Sequence, residues 1–133
     1  MAGETSLTTL LRSMSPQLNV GEYVFCTLRD GVLPSSLEVV GSFREQEGLT
    51  VIIERSHAEQ AGFSFDYVAA WITLNVHSAL EAVGLTAAFA TALGKAGISC
   101  NVIAGYYHDH LFVAQADAER AMQVLRDLAA NAE

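Results

Sequence analysis

Positive charge is what this chain of 133 residues has least of. Lysine and arginine together number 7, with Lys95 the single lysine, against 15 Asp and Glu, for a net charge of −8. No basic patch, arm or helix is present. Phosphate contacts dominate affinity for nucleic acid, so nucleic acid is excluded as a partner. An anionic membrane surface is disfavoured by the same sign argument. There are only 2 cysteines, Cys26 and Cys100, far apart in apolar strand-like runs. Neither stands in a CxxC or CxxH spacing, and both read as buried thiols acting as small hydrophobes. No apolar run approaches the roughly 18 residues of a spanning helix. Met1–Leu11 lacks a basic stretch followed by an apolar one, so a soluble, cytoplasmic protein is expected. HEXXH, a nucleophile elbow, a phosphate loop and GxGxxG are all missing. Ser78 stands beside His77, but neighbouring strand residues point to opposite faces and do not readily share a proton. The expectation is a protein that is not an enzyme.

Apolar surface, in contrast, is plentiful. Hydrophobic residues make up 51% of the chain and charged residues 17%, below the globular average of about 25%. Such a chain buries enough to offset its ordering entropy. The excess predicts a subunit interface, and hence a homo-oligomer, a dimer being the simplest.

Leu7, Leu10, Leu11 and Met14 recur at helical spacing, with Thr5 or Ser6 able to cap and Pro16 able to end the helix. Glu22–Leu28 is rich in β-formers and reads as a strand; Arg29–Ser36 reads as a loop. Val39–Glu45 and Leu49–Arg55 flank Glu47 and Gly48 as a hairpin. Ser56–Glu59 is a capping-box pattern opening a short helix that stops at Gly62. Trp71–His77 alternates, with Ile72, Leu74 and Val76 on one face and Trp71, Thr73, Asn75 and His77 on the other. Gly84–Ala96 reads as a helix closed by Gly97. Ile98–Tyr106 reads as a strand, His108 and Asp109 as a tight turn, and His110–Ala114 as the returning strand. Asp117 caps a last helix whose apolar face is Ala118, Ala121, Met122, Leu125, Leu128 and Ala129.

Leu49–Ala61 (LTVIIERSHAEQA) mirrors His110–Ala121 (HLFVAQADAERA), each a hairpin strand followed by a helix start. Ala58, Glu59 and Ala61 fall sixty positions before Ala118, Glu119 and Ala121. A repeat in so short a chain predicts duplicated units, here 1–65 and 66–133. The competing explanation is that Ala and Glu favour helix starts anyway.

Ile72–Phe89 (ITLNVHSALEAVGLTAAF), followed by Gly97–Val113 (GISCNVIAGYYHDHLFV), resembles ACT domains. The likeness is to bacterial proteins with two such domains, related to arginine-sensing ACT proteins and aspartate-kinase regulatory regions. It spans about Gly21–Leu128, and Phe43–Glu54 looks like the matching hairpin of the first half. The resemblance implies an α+β fold of two ferredoxin-like modules, with antiparallel sheets and helices packed on one face. It also implies side-by-side pairing of modules and a small effector, most often an amino acid, bound at their junction without catalysis. A full ACT unit begins with a strand before its first helix, whereas the first half here begins with a helix.

The turn from Val76 to Leu85 is the candidate effector site. A helix N-terminus presents unpaired N–H groups and partial positive charge, so the amides of Val83, Gly84 and Leu85 suit a carboxylate. Gly84 permits close backbone approach. Glu81, Asp109 and strand-end carbonyls are acceptors for an ammonium group. His77 and Ser78 belong to the same turn. By the resemblance, Asn101 and Ile103 border the pocket. Plainer readings stand beside these: Ser78–Glu81 is itself a capping pattern, Gly84 serves backbone geometry, and Asn101 satisfies a strand edge. His108, Asp109 and His110, with His77, are metal-ligand types, but they form no recognised ligand spacing, so no metal and no cofactor is expected. Two alternatives remain: a dimerisation or partner-docking module without a ligand, and a histidine-based metal-binding protein. Which protein receives the signal is not written in the sequence.

Overall fold

The structure is a computed structural model that describes residues 6–76 and 84–132. It has two compact units, one of residues 1–19 with 70–133 and the other of residues 20–69. The described residues form an α+β fold with four α-helices and antiparallel strand pairing.

The larger unit opens with α1 (Leu7–Ser13), which ends at Met14 in extended backbone. Pro16, two residues on, disfavours helical geometry just before it. Ser6 is the N-cap, without a side-chain cap bond. Strand β1 (Ser15–Leu18) follows and pairs with the later half of β5 (Val68–Asn75), Ser15 opposite Asn75 and Leu18 opposite Ile72. Then come α3 (Leu85–Lys95), β6 (Cys100–Ala104), β7 (Asp109–Ala114), a 3-10 turn (Gln115–Asp117) and α4 (Ala118–Ala130). The strands lie in the order β1-β5-β7-β6. Ile72, Leu74, Leu111 and Val113 point to one face, where they meet Leu10, Phe89, Leu93 and Leu125 from the helices. Asp117 is the N-cap of α4 as expected, but its carboxylate meets Arg120 at 3.3 Å and makes no cap bond.

The N-terminal segment thus packs with the second half of the chain, whereas the division at residue 65 groups it with the first. Leu10 is 0% exposed and Met14 4%. Their apolar face is satisfied by α3 and α4, and β1 completes the sheet beside β5. Periodicity shows which face of a helix is apolar; it carries no information about what covers that face.

The smaller unit is built on β2 (Tyr23–Leu28), β3 (Gly41–Arg44) and β4 (Leu49–Glu54), in the order β3-β4-β2, with Val68 and Ala69 pairing against Val24 and Tyr23. Val24, Cys26, Leu28, Val51 and Ile53 face Ala58 of α2 (Arg55–Ala61). Gly62 ends α2 in left-handed backbone at φ 74°, and the Phe63 amide donates to the Ala58 carbonyl. The expected Ser56–Glu59 capping box is not formed. The Arg55 amide bonds the Glu22 carbonyl, so the chain turns at Glu54, one residue earlier. Glu59 instead meets the Arg55 guanidinium at 3.5 Å.

The second hairpin also turns earlier than expected. Gly105 N–H donates to the His108 carbonyl at 2.9 Å, with Tyr106 and Tyr107 at the tip. Asp109 is therefore the first residue of β7 and not a turn residue. Strand register explains the change: Leu111 and Val113 must face the core, and a period of two carries Asp109 inward with them.

Candidate effector site

The topology gathers the middle of the chain's sequence-derived site residues at one end of the larger unit's sheet. Trp71 stacks on Phe112, with ring centroids 6.2 Å apart, and the Thr73 hydroxyl lies 3.1 Å from His110 Nδ1. That pairing makes β5 antiparallel to β7. Strand β6 is also antiparallel to β7, so β5 and β6 finish at the same end of the sheet, where β7 begins. Helix α3 runs back the other way and connects to β6 through only Ala96–Ser99. Its N-terminus, Gly84, therefore lies at the end where β5 and β6 finish. Val76, Gly84, Leu85, Ile103 and Asp109 share that end.

Their surroundings differ. Val76 and Leu85 are buried in the core, and the Val76 amide donates to the Leu74 carbonyl at 2.9 Å. Gly84 is the N-cap of α3 in left-handed backbone at φ 99°. A Cβ there would meet Leu7 Cδ2 at 3.2 Å, so Gly84 serves both its own turn and the packing of α1. Among the described residues, the N-terminus of α3 has no side-chain cap bond, and its first turn contains no acidic residue. Asp109 is 8% exposed, and burial raises its carboxyl above the usual range, opposed by His110 and His108. Asn101 and Ile103 are exposed and lie on the sheet face away from the core helices, opposite Phe112 and His110. Helix α3 and these two side chains are on opposite sides of the sheet. His77, Ser78, Glu81 and Val83 lie outside the described residues. The smaller unit carries open clefts of about 410 Å³ beside Glu38 and His57, 430 Å³ beside Thr27 and Asp66, and 490 Å³ beside Glu22 and Glu54. None of these includes a residue singled out as a ligand contact from the sequence.

A polar network on the outer face of the larger unit was not anticipated. Trp71 Nε1–H donates to His110 Nδ1 at 3.1 Å. Asn19 donates to the Thr73 hydroxyl at 3.0 Å and to the Trp71 carbonyl at 3.2 Å. The indole is a donor only, so His110 accepts at Nδ1 and carries its proton on Nε2. The alternation of Trp71 and Thr73 on β5, and of His110 and Phe112 on β7, was readable as two outward rows. Their pairing was not. Among the described residues, no group of three or more His, Cys, Asp or Glu is placed to hold a metal ion.

Burial holds the His110 imidazole below its ordinary pKa; His108 adds to this and Asp109 opposes it. Above about pH 6.5 His110 is neutral in both folded and unfolded chains. As pH falls below that value, the unfolded chain takes up the proton first, so the stability linked to His110 declines until pH passes the depressed folded value. Protonation also puts a second N–H against the Trp71 indole. Trp71 is the sole tryptophan, so a fluorescence titration reads the step directly. We expect a transition below pH 6.5 in the wild type and none in His110→Gln. An unchanged transition in that variant would assign the titration to another group. Asp109 acts in the opposite sense at lower pH: the fold favours its protonated form, so its contribution falls as pH rises through its raised folded value.

Residues 2–70 and residues 67–127 each match the ACT domain. The chain belongs to the ACT-domain family. The ACT likeness extends to a crystal structure of a Vibrio cholerae protein of unknown function, described as a possible transport protein. It is 55% identical, has a TM-score of 0.84, and is matched over 94% of this chain and 97% of that one. An Agobacterium tumefaciens protein is 18% identical at a TM-score of 0.73, over 87% of this chain and 89% of that one. The regulatory subunit of aspartate kinase from Thermus flavus is 9% identical at a TM-score of 0.65, over 85% and 95%. These two show a shared ACT fold. Among curated proteins nothing matches the chain. ACT domains are typically small-molecule regulatory modules, and the two matched here together span residues 2–127. No helix among the described residues is long and apolar enough to cross a membrane.

Proposed function

We propose that this tandem ACT protein is a non-catalytic sensor that holds a small effector, an amino acid, where α3 begins. One observation carries this reading: the N-terminus of α3, which has no side-chain cap bond among the described residues, shares a sheet end with the buried Asp109 carboxyl. The first offers amide N–H groups and partial positive charge to a carboxylate. The second offers an acceptor to an ammonium group. Val76, Leu85 and the flank of Leu7 supply apolar surface; His77, Ser78, Glu81 and Val83, which lie outside the described residues, remain candidate contacts by sequence. Asn101 and Ile103 lie on the strand that leads to this end, with their side chains on the sheet face away from α3. No cofactor enters the reading.

Such a sensor passes its state to a regulated protein partner. The effector shifts a packing equilibrium only by the difference in its affinity for the two packings. The test is a thermal-shift screen of the standard amino acids on the intact protein. An effector at a hundred times its Kd adds about 2.7 kcal/mol to stability, and thus raises the melting midpoint by several degrees. Asp109→Asn is expected to fold and to lose most of that shift. If no amino acid raises the midpoint, the protein is not an amino-acid sensor. If one does so equally in Asp109→Asn, it binds elsewhere.

A further inference from the structure

Two polar features of the larger unit meet at the start of β7. Asp109 turns inward with Leu111 and Val113, toward the side of α3, and His110, the next residue, turns outward to Trp71. Asp109 is buried, and among the described residues no hydrogen bond reaches its carboxyl. Buried polar groups are nearly always bonded, so an open one marks a place for a ligand to complete the bonding. Where that carboxyl stands depends on the strand, and His110 ties the strand down at this point. Its Nδ1 accepts from the Trp71 indole at 3.1 Å. Its other edge lies over Gly105, where a Cβ would come within 3.1 Å of Nε2. The bare α-carbon makes room for the ring.

His110 has two ways to use Nδ1. In the neutral ring it accepts from Trp71. In the protonated ring it becomes a donor, which the indole N–H cannot accept. The Thr73 hydroxyl oxygen, also 3.1 Å away, can. Protonation thus moves the bond from Trp71 to Thr73. It also puts positive charge one residue from Asp109. The imidazoles of His110 and His108 are the charges that act on Asp109, and those of His108 and Asp109 act on His110. Among the described residues no other charge faces the pair. Strand β5 and Ala96–Tyr107 carry none, and α3 has only Lys95, at its far end. Arg12 of α1 donates to the Ala132 carbonyl, and the charged residues of α4 are exposed.

We propose that His110 is the positioning residue of the effector site, and that its protonation releases the effector. Neutral His110 fixes the start of β7 and presents Asp109 to an ammonium group. Protonated His110 lets the strand shift and repels that ammonium. Asp109 takes up a proton in acid as well, and with it loses the charge that holds the ligand. Both steps act in one direction: capture near neutral pH, release on acidification. Apparent affinity falls with the fraction of chains in the competent arrangement. This inference rests on the effector reading and adds what controls that site.

The probe is whichever standard amino acid, histidine excepted, raises the melting midpoint most at about pH 7.5. Its Kd for the intact protein is measured by titration calorimetry. Between about pH 7.5 and about pH 5 that Kd is expected to rise at least about tenfold, beginning with the Trp71 fluorescence transition. His110→Asn keeps an acceptor where Nδ1 stood but does not titrate. It should bind like the wild type at about pH 7.5 and lose the part of the rise that accompanies the Trp71 transition. His110→Ala has no acceptor and should bind weakly already at about pH 7.5. Trp71→Phe removes a bond to the neutral ring, so the ring protonates more readily and the rise moves to higher pH. That shift decides the matter should a His110 variant fail to fold. A Kd that is flat across the range overturns the proposal and leaves the effector reading standing. So does a wild-type pH profile in His110→Asn or Trp71→Phe, or full affinity in His110→Ala. No midpoint shift with any amino acid at any pH removes both.

Discussion

Replacing Leu10 by alanine is expected to destabilise the protein by about 2–5 kcal/mol, the range for truncating an enclosed leucine. For a chain of this size that lowers the melting midpoint by roughly 7–18 °C. Leu10 is 0% exposed. Its helix packs against α3 and α4, and Arg12 on the same helix donates to the Ala132 carbonyl beyond the end of α4. Removing three heavy atoms there leaves a void that helices held by these contacts cannot easily close. Urea unfolding should show a lower midpoint at an unchanged slope. Thr9→Ala, on the solvent side of the same helix, should stay within about 0.5 kcal/mol. A Leu10→Ala cost under about 1 kcal/mol would mean that α1 is a loose appendage and not part of the core.

A loss of about 3–5 kcal/mol is expected for Phe89→Ala. Phe89 is 0% exposed and, with Phe112, is the largest enclosed side chain among the described residues. It stands on α3 and faces a sheet surface of Ile72, Leu74, Leu111 and Val113. With Leu85 and Leu93 this ring packs α3 on the sheet, and with α3 the amides that follow Gly84. Phe89→Leu keeps most of the volume and should cost far less, under about 1.5 kcal/mol. Trp71 lies on the opposite face, so its native emission should be the same in both variants and report only global unfolding. If the alanine variant were as stable as the leucine variant, the helix would not depend on this contact. Its N-terminus would then be too loosely placed to serve as a preorganised site.

The candidate site was legible only in part. Gly84 could be read as a helix start because the apolar spacing of Leu85, Phe89 and Leu93 begins there. The carboxylate of Asp109 is legible as a candidate acceptor, but its residue type points locally to a turn. Its burial follows from the strand register that Leu111 and Val113 impose. The Trp71–His110 contact joins residues 39 apart in sequence, and neither residue's local pattern points to the other. The position of Leu7 against Gly84 was equally invisible, since it depends on how α1 crosses the start of α3.

Local patterns alone determined which faces are apolar. Ile72, Leu74 and Val76 alternate inward, α4 buries Ala118, Ala121, Met122 and Leu125, and the hairpin-then-helix repeat announces two similar modules. Tertiary structure decided what covers each of those faces. It placed the N-terminal helix and β1 with residues 70–133, aligned β7 so that Asp109 turns inward, and set His110 beside Trp71. The physical reason is the range of the forces. Helix and strand periods are written by neighbours a few residues apart. The burial that chooses between partners depends on the apolar area of surfaces far apart in the chain, and no short window of sequence contains both.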